Sequence, residues 1–159
     1  MDHLWDNAQN LPVRVGGEIT GGFDVGFDEK IPEQTRDELM RFVYWVEDHF
    51  VLPVTLWVDF KHNQYLLNRD RRRVDYRFYW AEFSTWPDFH NPDDIPVIEL
   101  PVRTENRSIQ TILEAFVRAI CMYFIWLSNG DPHKVQPDDA LVYEILQRYD
   151  SDMKKEGTL

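Results

Sequence analysis

The chain has 159 residues, 14% of them aromatic, and a formal charge of −11 from 28 acidic against 17 basic side chains. That length suits one domain over residues 1–159, since domains usually hold about 100 to 150 residues, and the aromatic content argues against long disorder. A field this negative repels phosphate backbones, so nucleic acid is excluded as the expected partner.

Residues 1–10 read as a polar lead-in that frays. From Pro12 to Phe27 apolar residues alternate with Gly16-Gly17 and Gly21-Gly22, which predicts one or two short strands with a tight turn or bulge. A helix follows over roughly residues 32–50: Pro32 and Glu33 suit a first turn, and Leu39, Phe42, Val43, Val46 and Phe50 form one stripe. Val54, Leu56, Val58 and Phe60 alternate with Thr55, Trp57 and Asp59 as in a half-buried strand. Gln64–Leu67 and Val74–Ser84 bracket a polar tip and predict a hairpin. Residues 84–96 are rich in proline and read as a loop. Val97–Val102 reads as a last strand at a sheet edge, because Pro96 and Pro101 cannot donate to a ladder.

The strongest periodicity runs over roughly residues 106–127, where Ile109, Ile112, Leu113, Phe116, Val117, Ile120, Phe124 and Leu127 keep helical spacing. Its second half is apolar all round, which predicts a buried central helix ending at Asn129-Gly130. A last helix spans roughly residues 137–153, and 154–159 fray. The expected fold is α+β, with an antiparallel sheet of about four to five strands packed against the 106–127 helix and flanked by the other two helices.

One cysteine, Cys121, permits no intramolecular disulfide. The opening residues lack the basic-then-apolar order of a secretory signal, and no apolar run approaches the roughly 18 residues of a membrane span. The expectation is a cytoplasmic protein with no membrane partner. Its acidity serves solubility first, and any partner that it steers would be a basic protein or a cationic ligand.

His3, His49, His62, His90 and His133 show no ligand spacing, and no phosphate loop or nucleophile elbow is present, so no metal and no cofactor is expected. Cys121 sits among apolar neighbours that suit a core thiol. Arg69, Arg71, Arg72 and Arg73 form a basic tip that suits anion binding or, more simply, a charged hairpin end. Two candidate sites remain. The loop carrying Trp86, Asp88, Phe89, His90, Asp93 and Asp94 joins two large aromatics to carboxylates, the composition of an interaction hot spot. Against the central helix, Glu82, Glu99, Glu114 and Glu144 offer carboxylates for general-acid work.

The stretch Thr111-Ile112-Leu113-Glu114-Ala115-Phe116-Val117-Arg118-Ala119, followed by Tyr123 and Trp126-Leu127-Ser128-Asn129-Gly130, resembles the active-site helix of small zincin metallopeptidases. In that family an H-E-x-x-H motif binds zinc and its glutamate activates water. Glu114, Ala115 and Arg118 stand at those positions, so the resemblance implies a scaffold without its metal site, where Glu114 and Arg118 suit an i,i+4 ion pair. The leading expectation is a non-enzymatic binding or protein-interaction module; the rival is a carboxylate-dependent hydrolase. Purified protein should carry no stoichiometric zinc, and elemental analysis finding one tightly held zinc per chain would contradict this.

Overall fold

The computed structural model describes residues 21–62, 65–67, 73–75, 82–86, 95–102, 108–128 and 137–157. Strand β1 (Phe23–Phe27) leads into helix α1 (Glu33–His49), which returns to strand β2 (Leu56–Lys61). Two short strands, β3 (Tyr65–Leu67) and β4 (Arg73–Asp75), pair antiparallel as a separate ladder. Strands β5 (Glu82–Trp86) and β6 (Ile95–Pro101) follow, and then helices α2 (Ile109–Leu127) and α3 (Asp139–Lys155).

The sheet is not the antiparallel one expected. Its order is β1-β2-β6-β5; β1, β2 and β6 run parallel, and β5 alone joins β6 antiparallel. The cause lies in the connections. A two-residue hairpin can join only antiparallel neighbours, whereas a helical crossover such as α1 brings the next strand back parallel. Nor is β6 an edge strand. It lies between β2 and β5, and its prolines occupy the second and last positions of the strand, where few ladder bonds are lost. Trp86 closes β5 opposite Ile95, so the segment read as a loop from residue 84 begins in a strand.

Glycine makes the entry to β1 possible. Gly22 has φ 66°, and a β-carbon there would lie 2.7 Å from a Glu47 carboxylate oxygen. That carboxylate accepts the Phe23 N–H at 2.9 Å and ties β1 to α1. An L side chain at Gly22 would meet both the left-handed backbone and the carboxylate.

Helices α2 and α3 start where a side chain can hold a free N–H group. Ser108 Oγ accepts the Thr111 N–H at 3.1 Å, and an Asp138 carboxylate oxygen accepts the Ala140 N–H at 2.9 Å. Helix α1 has Pro32 at its N-cap with no side-chain cap, and Glu33 meets the dipole in its first turn. All three helices lie on one face of the sheet. Leu56, Val58 and Phe60 of β2 point into that layer with Phe83, Ile98 and Leu100, all at most 1% exposed.

Phe116 of α2 sits at the centre. Its ring contacts Phe23 of β1 at 5.9 Å, Phe42 of α1 at 5.7 Å and Phe60 of β2 at 5.4 Å. Phe42 meets Tyr149 of α3 edge-on at 4.8 Å, so the chain of rings reaches the last helix. Each such pair adds about 0.5–1.5 kcal/mol beyond area burial. Tyr123 fastens the other end: its hydroxyl donates to the Val54 carbonyl and accepts the Val54 N–H at 3.2 Å. By length and composition α2 would suffice to cross a membrane, unlike the expectation from its sequence, and 56% of that span is buried inside the fold. Phe116→Ala should lower unfolding stability by about 3–5 kcal/mol, read from denaturant melts. An unchanged midpoint would remove Phe116 from its central place.

Candidate functional site

Of the residues nominated by sequence, Asp88, Phe89, His90, Asp93 and Asp94 lie outside the described residues, as does the tip at Arg69, Arg71 and Arg72. Glu82 is paired in register with Glu99, and Glu99 forms an ion pair with Lys61 at 3.6 Å. Glu144 is exposed on α3.

Glu114 and Arg118 do not pair with each other. Arg118 reaches across to Asp139 at the start of α3. The Glu114 carboxylate lies near the Tyr143 hydroxyl of α3, and its pull on the phenolic proton, reinforced by its charge, raises the phenol above its ordinary pKa. Both side chains are thereby directed toward α3 and not toward each other, while Ala115 beside Glu114 is buried. Among the described residues, no group of three His, Cys, Asp or Glu side chains is placed to hold a metal ion.

A second cluster, not foreseen from sequence, joins the ends of α1 and α3. Trp45 Nε1 donates to Asp152 Oδ2 at 2.9 Å, and His49 Nε2 lies 3.5 Å from the same oxygen. The other imidazole nitrogen, Nδ1, is 2.8 Å from the Trp45 carbonyl, and the imidazole stacks on the indole with centroids 4.5 Å apart. Arg148 Nε approaches Asp152 Oδ1 at 3.7 Å. The cluster borders a groove of about 510 Å³ lined in part by Tyr44, Asp48 and Lys155. A histidine–aspartate pair beside a groove has the parts of a general base, but the arrangement differs in one decisive respect. A general base needs one ring nitrogen for its orienting partner and the other for the substrate. Here both face protein oxygens.

Cys121 is equally withdrawn. It is buried, and desolvation pushes its thiol up to about 12 against the opposing pull of Arg118.

The sheet face turned away from the helices has a different character. Trp57, on the inner strand β2, is 44% exposed there. The parallel register sets Asp24 of β1 opposite Trp57 and Val97 of β6 on its other side. Asp59 follows two residues along β2, opposite Gly26 and Glu99. Gly26 leaves room for the Asp59 carboxylate to lean over β1: a β-carbon at that position would sit 3.1 Å from Asp59 Oδ1. Asp24 and Asp59 are both exposed and, among the described residues, neither is ion-paired, whereas Glu99 is paired with Lys61. The alternation in Leu56–Lys61 already placed Trp57 and Asp59 on the outward half of the strand; what sequence could not supply was Asp24 beside them, which depends on the parallel register.

No protein-family model, curated protein or solved structure matches the chain.

The withdrawn thiol has a measurable consequence. Because the folded pKa of Cys121 lies above that of an exposed thiol, 9.0, the fold retains the proton that the unfolded chain gives up. The contribution of this thiol to stability is therefore full below about pH 9 and falls as pH rises from there toward about 12. Wild type should lose more stability than Cys121→Ala across that alkaline range, and a disulfide reagent should label Cys121 only on unfolding. Rapid labelling of the native protein at neutral pH would contradict this.

Proposed function

We propose that this protein is a non-enzymatic interaction module whose open sheet face docks a basic protein. The observation that carries the reading is Trp57, an indole 44% exposed on an inner strand with two exposed carboxylates on its β1 side. Sheets with parallel strands are ordinarily covered on both faces, so an exposed indole in the middle of one marks a surface with something to bind. Binding energy concentrates on large aromatics near the centre of an interface, and surrounding charges steer encounter. The net charge of −11 extends that steering over the whole molecule.

The same reading accounts for the groups that protein contacts already engage. Both nitrogens of His49 are engaged, the Cys121 thiol is held protonated, and Glu114 and Arg118 are directed toward α3. On this view the scaffold is similar to that of a zincin whose metal positions, Glu114, Ala115 and Arg118, have been given over to packing.

Trp57→Ala should weaken binding to a mixed lysine–arginine polypeptide by about 2 kcal/mol, roughly thirtyfold in affinity, with no change in melting temperature. Asp24→Asn should chiefly slow association, and more so at low salt. Titration calorimetry and thermal melts on the same variants check both, and binding that is indifferent to Trp57 would contradict the proposal.

A further inference from the structure

We infer that the open face selects arginine over lysine in its partner, holding one guanidinium flat against the Trp57 indole with its edge turned to Asp24 and Asp59. The inference rests on the interaction-module reading and sharpens it to a side chain. Its basis is the one-sided layout around the indole. On the β1 side, Asp24 lies directly across from Trp57, and Asp59, two residues on, leans over Gly26 toward the same side. On the β6 side stand Val97, which carries no charge, and Glu99, which is already paired with Lys61. Neighbouring strands lie about 4.8 Å apart, and residues i and i+2 on one strand about 6.6 Å apart. The two carboxylates and the indole therefore fall within the reach of a single side chain.

A cation bound there meets the π system of an exposed indole and two carboxylates to one side. A guanidinium does both at once: its plane stacks on the indole while its N–H groups, fixed in that plane, point outward to the carboxylates. An ammonium is a compact point charge that keeps its water more tightly and has no plane to stack, so it can meet the carboxylates or the ring but gains less from having both. The absence of a side chain at Gly26 adds to the fit, because it lets Asp59 lie low over β1 beside the indole instead of standing up in front of it.

The test compares two peptides of equal length and charge, one of arginine and glycine and the other of lysine and glycine, titrated calorimetrically into the full-length protein at low salt. The arginine peptide should bind roughly tenfold more tightly. That preference should vanish in Trp57→Ala and shrink in Asp59→Asn, with circular dichroism showing both variants folded. Equal affinities that still depend on Trp57 would overturn the arginine inference and leave the interaction module standing. An arginine preference that survives in Trp57→Ala would overturn it too, since the selectivity would then lie elsewhere. Failure of wild type to bind either peptide would overturn the module reading as well.

Discussion

The ring of Phe116 touches β1, α1 and β2 at once, and through Phe42 it is linked to α3. One side chain can bridge that many elements only if the helices share a single face of the sheet. This one-sided arrangement shapes everything else. It buries the inward halves of β2 and β6 completely, draws Tyr149 and Tyr123 into the same layer, and leaves Asp24 of β1 and Trp57 and Asp59 of β2 exposed on the other side. Among the described residues, these outward positions of β1 and β2 are free of the demands of the core. There the chain places an indole and carboxylates.

Polarity is distributed to match. In the helix layer, groups able to do chemistry are tied to one another. Asp152 gathers the Trp45 indole, His49 and Arg148, and the Val54 backbone holds the Tyr123 hydroxyl, whose phenol burial pushes upward. Such bonds are worth most where water is scarce, and leaving one partner unmet would cost about 1–3 kcal/mol. They orient helices. On the outward face Asp24 and Asp59 are exposed, and their charges remain available for long-range attraction of a cation, which is what an encounter surface needs.

The helices were legible in sequence because their periodicity is set by local geometry. Ile112, Phe116 and Ile120 announce α2 whatever they pack against, and Ser108 and Asp138 move two helix starts only slightly from where the pattern places them. Strand direction was not legible. Leu56, Val58 and Phe60 alternate with Trp57, Asp59 and Lys61, a pattern usual for antiparallel sheets, since parallel ones tend to be covered on both sides. Here a largely parallel sheet carries its helices on one side and, among the described residues, exposes alternate positions of β2 on the other, which writes the same signature. Pro96 and Pro101 misled in a similar way: they argue for an edge, yet both stand near strand ends, where a missing N–H is cheap. The candidate site suffered most. Trp57 and Asp59 could be read as outward, but Asp24 is 33 residues from Trp57 in sequence, and only the β1–β2 register brings them together. The His49–Asp152 contact spans an even longer gap and has no local signal at all.

On the proposed function the open sheet face, rather than the groove between α1 and α3, receives a cationic partner. A ¹H–¹⁵N spectrum of the labelled protein titrated with an arginine-containing peptide tests it most directly, because Trp57 and Trp45 each report one surface through an indole N–H. The Trp57 indole and the amides of Asp24 and Asp59 should shift together along one saturating curve, with the Trp45 indole, bonded to Asp152, unmoved. Shifts centred on Trp45, Tyr44 and His49 with Trp57 silent would place binding in the groove and contradict it.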